Sequence, residues 1–302
     1  MSAELLGRRV VLRRHAGSRD GRPVFADILG HLVDVADDRL VIRRDDGTVV
    51  TVPAGQVHRL RPVPPGRTEI FALERVAAAG WPAPRTEALG EWLLRAGEGW
   101  TRRANSALVL GDPGCPVPEA LDRVRAWYDD QGLVPRLAVP LPTMAAVDHA
   151  AERAGWRHDV VTEVLVAPAR PVPDDPGVRL AARPDADWAA VYQNRGVPPV
   201  AVGILTGPAV VAFASLELDG QTVAIGRGVA EGDWAGVAAM EVLPAYRRRG
   251  LAARVLRALT GWGAAQGATR CYLQVEDTNA AARALYAGLG FTRHHRYRLR
   301  TA

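Results

Sequence analysis

Small and basic residues are concentrated where a strand-like run gives way to a helix-like one, over MEVLPAYRRRGLAA at residues 240–253. Arg247, Arg248 and Arg249 come directly before Gly250. The first N–H groups of a helix lack backbone acceptors and carry partial positive charge, so a helix start can bind a pyrophosphate. Glycine lets the backbone approach phosphate oxygens closely, and the arginines add positive potential. The segment therefore predicts an anion-binding turn at the start of a helix.

The sequence after this turn extends the pattern. A strand-like run, RCYLQVEDTN, is followed by the helix-like run AAARALYAGLGF. From Val242 to Phe291 the order V-x-P-x-x-R-x-x-G-x-A, a strand ending in Asn, and A-x-x-L-Y-x-x-x-G-F resembles the GCN5-related N-acetyltransferase (GNAT) superfamily. The resemblance implies that residues 176–302 form an acetyl-CoA-binding GNAT domain. The implied fold class is α/β, in the α+β form of the GNAT fold. It has a mixed central sheet in which two adjacent parallel strands splay apart around the pantetheine arm of acetyl-CoA.

The resemblance also implies which residues hold the cofactor. Backbone groups around Met240 and Val242 would meet the pantetheine amides, and N–H groups from Arg248 to Ala253 would hold the pyrophosphate. Arg247 occupies the first position of the family motif Q/R-x-x-G-x-G/A, and Asn279 would contact the cofactor arm. The implied cofactor-binding residues are Met240, Val242, Arg247, Arg248, Arg249, Gly250, Leu251, Ala252, Ala253, Asn279 and Tyr286.

The catalytic groups are less completely implied. Tyr286 matches the family tyrosine near the acetyl-CoA sulfur, where a phenol can protonate the departing thiolate. In ribosomal-protein N-terminal acetyltransferases, which the domain resembles locally, a Glu on the second splayed strand is the base, but Gln274 stands at that position. Glu276 lies two residues further along the strand, on the same face as Gln274. Glu241 is the other candidate, although strand alternation places it opposite Met240 unless a bulge intervenes, and a water chain could replace both.

An internal repeat organises the chain from residue 67 onward. Three landmarks recur with one offset of 135 residues: Trp127 and Trp262, Gln131-Gly132 and Gln266-Gly267, and Gly155-Trp156 and Gly290-Phe291. A constant offset between similar strand and helix patterns predicts two copies of one unit, at 67–170 and 176–302.

The first copy lacks the residues that carry chemistry in the second. The phosphate turn maps onto Asp112–Pro118, where Cys115 replaces the glycine and three prolines have no N–H to donate. Tyr286 maps onto Ala151. We therefore expect residues 67–170 to be a degenerate GNAT-like lobe that does not bind acetyl-CoA productively, completes the fold and walls the acceptor pocket.

Short alternating runs characterise the first 63 residues and resemble SH3-like barrels, with Asp45-Asp46-Gly47 marking a hairpin turn. The proline-rich run at 61–66 predicts a stiff linker. Phe25 is the only Phe, Trp or Tyr before Pro62, so there is no aromatic platform for single strands. Nucleic acid is therefore not expected as a partner, whereas a protein partner could dock on the barrel.

Composition excludes several classes of protein. The chain has 302 residues, of which 48% are hydrophobic and 24% charged, so it is not disordered by composition. Its two cysteines, Cys115 and Cys271, belong to no Cys/His cluster, so we expect no metal site and no disulfide framework. No apolar run is long enough to span a membrane, and no signal peptide is evident, so a cytoplasmic protein without membrane association is expected. All 38 basic residues are Arg, so the protein cannot acetylate lysines of its own.

Periodicity predicts the elements that position these residues. Helices are expected at 117–131 and 251–265, and strands at 105–110, 136–141, 160–166, 209–218, 222–230, 235–243 and 270–276. The run Arg293–Arg300 predicts a last strand with its arginines on a solvated face.

Two functions remain open on sequence alone. The first is an N-acetyltransferase that moves acetyl from acetyl-CoA to a primary amine, small molecule or protein, directly within a ternary complex. Neither cysteine lies in the site motif, which disfavours a thiol intermediate. The alternative is a non-catalytic acyl-CoA-binding regulator with a partner-binding barrel. The acceptor stays unassigned; a tandem arrangement with one silent lobe also resembles mycothiol synthase.

Overall fold

The computed structural model describes residues 5–192 and 197–302. The chain forms two compact units, Met1–Gly66 and Arg67–Ala302. No helix in the described part of the chain is both long and apolar enough to cross a membrane.

The first unit is an antiparallel sheet of five strands in the order β4-β3-β2-β1-β5. The strands are β1 (Arg9–Arg19), β2 (Arg22–Val35), β3 (Arg39–Arg43), β4 (Val49–Pro53) and β5 (Val57–Pro62). Their inward-facing side chains form one apolar core of Val10, Leu12, Ile28, Leu32, Leu40, Ile42 and Val52. The predicted turn at residues 45–47 joins β3 to β4 and is confirmed. No pairing of β4 with β5 is found among residues 5–66, so an SH3-like closed barrel stays a prediction.

The second unit is α/β, as predicted, with one sheet of eleven strands in the order β11-β12-β13-β14-β15-β10-β16-β9-β8-β7-β6. Its strands are β6 (Arg85–Leu89), β7 (Trp92–Ala96), β8 (Ala107–Leu108), β9 (Arg136–Leu141), β10 (Arg157–Pro168), β11 (Val178–Ala181), β12 (Val211–Leu218), β13 (Gln221–Glu231), β14 (Trp234–Val242), β15 (Arg270–Glu276) and β16 (Thr292–Thr301). Its helices are α1 (Arg67–Ala79), α2 (Val117–Asp129), α3 (Ala145–Arg153), α4 (Ala186–Val191), α5 (Pro199–Thr206), α6 (Leu251–Ala265) and α7 (Ala280–Gly288). The predicted helices and strands from residue 105 onward are confirmed, except that the strand predicted at 105–110 is reduced to Ala107–Leu108.

Two strands interlock the halves of this sheet. β10, from the first half of the unit, pairs with β15 on one side and β16 on the other. β16, the last strand of the chain, in turn pairs with β9 of the first half. The sheet is therefore continuous across the sequence boundary near residue 170, and the division into two copies stays a prediction.

The C-terminal strand corrects one expectation. Arg296 is exposed, but Arg300 is only 2% exposed, and its Nε donates to Asp148 Oδ1 at 2.7 Å. Arg298 donates to the other oxygen of the same carboxylate. The prediction of a solvated arginine face is wrong for Arg298 and Arg300, because β16 lies inside the sheet and Asp148 on α3 covers this part of it.

Candidate active site

The two parallel strands β14 and β15 separate part-way along their length. They pair only from Trp234–Val237 with Arg270–Leu273, and beyond these residues no pairing of the two strands is found in the described chain. A gap therefore opens between the last residues of β14 and the last residues of β15. This is the splayed pair that the sequence resemblance implied.

A β-bulge shapes the β14 side of the gap. Against β13, Ala238 pairs with Arg227 and Glu241 pairs with Ile225, so two residues of β14 stand opposite one of β13. Ala239 has a left-handed φ of +52°, which a non-glycine residue adopts only under local constraint. The extra residue shifts the alternation of side chains along β14, so the consecutive residues Met240 and Glu241 both reach the gap.

Glycine is required opposite the bulge. A Cβ atom at Gly226 would lie 2.7 Å from Met240 Sδ and 2.8 Å from side-chain atoms of Val255 and Leu259 on α6. The close approach allows α6 to pack directly over β13 and the bulge.

The gap opens into a cavity of about 510 Å³. Predicted site residues that line it are Met240, Glu241, Glu276, Asn279 and Tyr286. Val242 and the predicted phosphate turn, residues 247–253, do not line it. The structure thus brings the predicted acid and both predicted bases to one cavity and leaves the phosphate turn outside it.

Tyr286 projects from α7 into the cavity and is 8% exposed. Burial raises the pKa of its phenol above the ordinary value, so the proton is held at neutral pH. The ring lies near that of Phe291, with centroids 6.2 Å apart. No hydrogen bond to the hydroxyl is found within the described residues, which leaves it available to a ligand in the cavity.

Two other predicted residues already have protein partners. Glu276 Oε1 accepts a hydrogen bond of 2.8 Å from Arg102 Nη1. Asn279 caps α7, because its Oδ1 accepts from the backbone N–H of Ala282 at 3.1 Å. Asn279 therefore fixes the start of the helix that carries Tyr286 as well as lining the cavity.

The predicted phosphate turn has the geometry of an open helix start. Gly250 precedes α6 with a left-handed φ of +76°, and no atom lies within 4 Å of where a Cβ would stand. Its carbonyl accepts from the N–H groups of Ala253 and Arg254 at 3.1 and 3.3 Å. In the described chain, no backbone acceptor is found for the N–H groups of residues 250–252. These groups can bind an anion.

The arginines before Gly250 are held loosely at the surface. Arg247 Nε donates to the carbonyl of Val242 at 3.1 Å, and the Arg249 guanidinium lies 5.2 Å from the centre of the Tyr246 ring. Arg248 has a left-handed φ of +61°. Their charge adds positive potential beside the open N–H groups.

The corresponding turn of the first half is filled by the protein. The Glu91 carboxylate accepts from the backbone N–H of Asp112 at 2.7 Å, and a Cβ at Gly111 would meet that carboxylate at 1.9 Å. The Asp112 side chain accepts in turn from Gly114 N at 2.9 Å. Two acidic side chains therefore take the N–H groups that an anion would need.

Sequence analysis missed the residues that the first half contributes to the cavity. They are Trp81, Thr101, Arg102, Arg103 and Thr162. Asn105, which has no exposed surface, holds together the loop that carries Thr101, Arg102 and Arg103. Its Oδ1 accepts from Gly97 N and Gly99 N, both at 2.9 Å. Its Nδ2 donates to the carbonyls of residues 100 and 101 at 2.9 and 2.8 Å. Only the offset repeat hinted that this half borders the site.

Comparison with known proteins finds acetyltransferases among the proteins that this chain resembles. Residues 67–300 match the family model described as "Probable histone acetyltransferase Rv0428c C-terminal". The probable histone acetyltransferase Rv0428c of Mycobacterium tuberculosis is 36% identical over 307 residues, which cover 97% of this chain and 94% of that protein. The uncharacterized N-acetyltransferase YobR of Bacillus subtilis is 28% identical over 77% of this chain and 99% of its own length.

A solved structure shares the fold. A GCN5-related N-acetyltransferase from Kribbella flavida superposes with a TM-score of 0.57 at 17% identity, covering 79% of this chain and 96% of that one.

Proposed function

The chain belongs to the Rv0428c C-terminal family of GNAT-type N-acetyltransferases, and from this premise we propose that it transfers acetyl from acetyl-CoA to a primary amine. The single observation that carries the proposal is the cavity at the splayed strands, into which a buried tyrosine and two carboxylates project. In this proposal the amine nitrogen attacks the thioester carbonyl carbon, a C–N bond forms and the C–S bond breaks. No covalent link to the enzyme is needed.

The donor would bind across the open helix start and the gap. The N–H groups of residues 250–252 suit the pyrophosphate, because they point outward from the positive end of α6. Arg247, Arg248 and Arg249 would add charge attraction, while Leu251, Ala252 and Ala253 would line the start of the helix. The backbone around Met240 and Val242 would meet the pantetheine amides.

We also propose that acetyl-CoA binds only to the second half. Glu91 and Asp112 take up the turn of the first half, and their negative charge opposes a pyrophosphate. A crystal structure with CoA ordered against Gly114 would overturn this part of the proposal.

Tyr286 would serve as the general acid. Its raised pKa keeps the phenol protonated at neutral pH, so it can give its proton to the thiolate as the C–S bond breaks. Asn279 would orient α7 and would contact the cofactor arm.

The general base has two candidates, Glu276 and Glu241. Glu276 Oε1 already accepts a hydrogen bond from Arg102. Glu241 reaches the same cavity through the bulge, so both carboxylates remain candidates for the base. The variants E241Q and E276Q distinguish them, because loss of the base lowers kcat and changes the acidic limb of the pH–rate profile.

The test is release of free CoA from acetyl-CoA in the presence of a panel of amines. The panel includes small amines, amino acids, aminoglycosides, polyamines and a histone-tail peptide, since one relative is described as a probable histone acetyltransferase. Tyr286→Phe is expected to lower kcat about 100-fold with little change in the KM for acetyl-CoA.

Tyr272→Phe is the matched control. Tyr272 is also buried and its pKa is also raised by burial, to about 12, but it does not line the cavity. Equal activity of the two variants would remove the acid role from Tyr286. Tight acetyl-CoA binding without turnover on any amine would refute the enzymatic proposal and favour a non-catalytic regulator with a partner bound at the N-terminal unit.

A further inference from the structure

The loop that walls the cavity carries two arginines with different partners. Arg102 pairs with Glu276 at 2.8 Å and with Asp159 at 3.5 Å. Arg103 also lines the cavity and is half-buried, but no ion pair or side-chain hydrogen bond of its guanidinium is found among the described residues. Its Nε is buried without an acceptor.

A second guanidinium, that of Arg227, lies near Arg103. Arg227 is 1% exposed, and it donates from Nε to Leu205 O at 2.7 Å and from Nη1 to Gly80 O at 3.0 Å. Its Nη2 has no acceptor, and within the described chain no carboxylate pairs with it. Burial lowers the pKa of Arg227 to about 10, so it remains charged at neutral pH.

Both cations face one aromatic ring. The guanidinium carbon of Arg103 lies 5.3 Å from the Trp81 ring centre, and that of Arg227 lies 5.2 Å from it. The ring offers cation–π attraction but no counter-charge. Glu74, which lines a small inner cavity together with Arg103, is hydrogen-bonded to His295 at 2.7 Å and also faces Arg95.

Uncompensated charge in a partly buried site is unfavourable, and a guanidinium fork fits a carboxylate with two parallel hydrogen bonds. We propose that the acceptor amine carries a carboxylate and that Arg103 binds it. This inference rests on the proposed acetyltransferase function.

The charges around the cavity fit one small zwitterionic molecule. Glu241 and Glu276 contribute negative charge on the splayed strands, where the amine would react, and Arg103 contributes positive charge to the lining of the same cavity. A cavity of about 510 Å³ has to hold the end of the pantetheine arm as well as the acceptor. The proposed substrate class is therefore a small amino carboxylate.

The test compares matched acceptors that differ only in the acid group: β-alanine with β-alaninamide, and 4-aminobutyrate with 4-aminobutanamide. The wild-type protein is expected to show the higher kcat/KM with each carboxylate. Arg103→Gln is expected to lower kcat/KM for the carboxylates by about 10- to 100-fold and to leave the amides nearly unchanged, as loss of a charged hydrogen bond predicts. Arg103→Lys is expected to recover part of the loss.

Arg102→Gln is the matched control, because it removes the neighbouring charge and should change both members of each pair by the same factor. A preference for the amides or for a lysine-rich peptide, or an unchanged carboxylate preference in Arg103→Gln, would overturn the inference.

A binding measurement separates this inference from the proposed function. Calorimetry with N-acetyl-β-alanine and N-acetyl-β-alaninamide requires no turnover. Tighter binding of the carboxylate, lost in Arg103→Gln, supports the inference even if no amine is acetylated. Equal binding of both compounds refutes it even if amines are acetylated.

Discussion

Replacing Asn105 by Ala tests whether one buried amide holds the wall of the cavity. Four good hydrogen bonds are lost: two accepted from Gly97 N and Gly99 N, and two donated to the carbonyls of Trp100 and Thr101. At roughly 1 kcal/mol for each bond, the variant loses about 3 to 4 kcal/mol of unfolding free energy. The lower end is expected because three of the four bonds are only partly buried and water can replace them.

The functional effect of this change should be confined to one substrate. The Asn105 loop carries Arg102 and Arg103, whereas the proposed acetyl-CoA contacts lie on α6 and on the splayed strands. Urea unfolding gives the stability loss, and steady-state kinetics should show a higher KM for the amine with an unchanged KM for acetyl-CoA.

The conservative variant Asn105→Asp is the sharper control. It keeps the acceptor oxygen but loses both donors, and its second oxygen would face the carbonyls of Trp100 and Thr101. It should therefore be no more stable than the alanine variant. A stability loss below about 1 kcal/mol in Asn105→Ala, or an equal rise of the two KM values, would refute the reasoning.

Two further predictions concern the donor side. Gly250→Ala should raise the KM for acetyl-CoA about fivefold and leave the amine KM unchanged, because a left-handed φ of +76° disfavours a side chain by about 1 kcal/mol. Gly288→Ala on α7 is the control, and equal effects of the two would contradict the role of the turn. Asp175→Asn should lower the free energy of unfolding at pH 7 by about 1 kcal/mol, since its carboxylate binds Arg254 with two hydrogen bonds of 2.6 and 2.7 Å at a partly exposed site. The Arg254 hydrogen bond lowers the pKa of Asp175 to about 2, so the stabilisation is complete above about pH 4 and is lost as the pH falls towards 2. Urea unfolding across pH measures both effects, and the control variant Asp174→Asn, at an exposed position, should show neither.

Elements with a strong apolar period could be located from sequence. The predicted helix at 251–265 and the predicted strands at 136–141 and 270–276 match α6, β9 and β15 to the residue. No element was predicted between residues 67 and 104, where β6 is almost wholly exposed and shows no alternation. The elements missed there are the ones that carry the cavity loop.

The site residues likewise divide into those that the sequence indicated and those that it did not. Residues from Met240 to Tyr286 lie on consecutive elements whose motifs resemble the GNAT superfamily, and that resemblance implied that they converge. Arg103 and Trp81 reach the cavity only because the sheet brings distant segments together. The bulge at Ala239 was equally hidden, since no glycine or proline marks it. Such contacts depend on tertiary packing, which a single sequence does not encode locally.

The strand pairing makes residues 67–170 an integral part of the second unit. β10 fills the place between β15 and β16, so without it the strand that leads to Glu276 would have an unpaired edge. The loop of Arg102 and Arg103 lines the same cavity. In the proposed enzyme the second half therefore supplies donor binding and proton transfer, and the first half supplies acceptor binding. Because these roles lie on separate elements, substitutions in the Asn105 loop can change the acceptor without changing the donor.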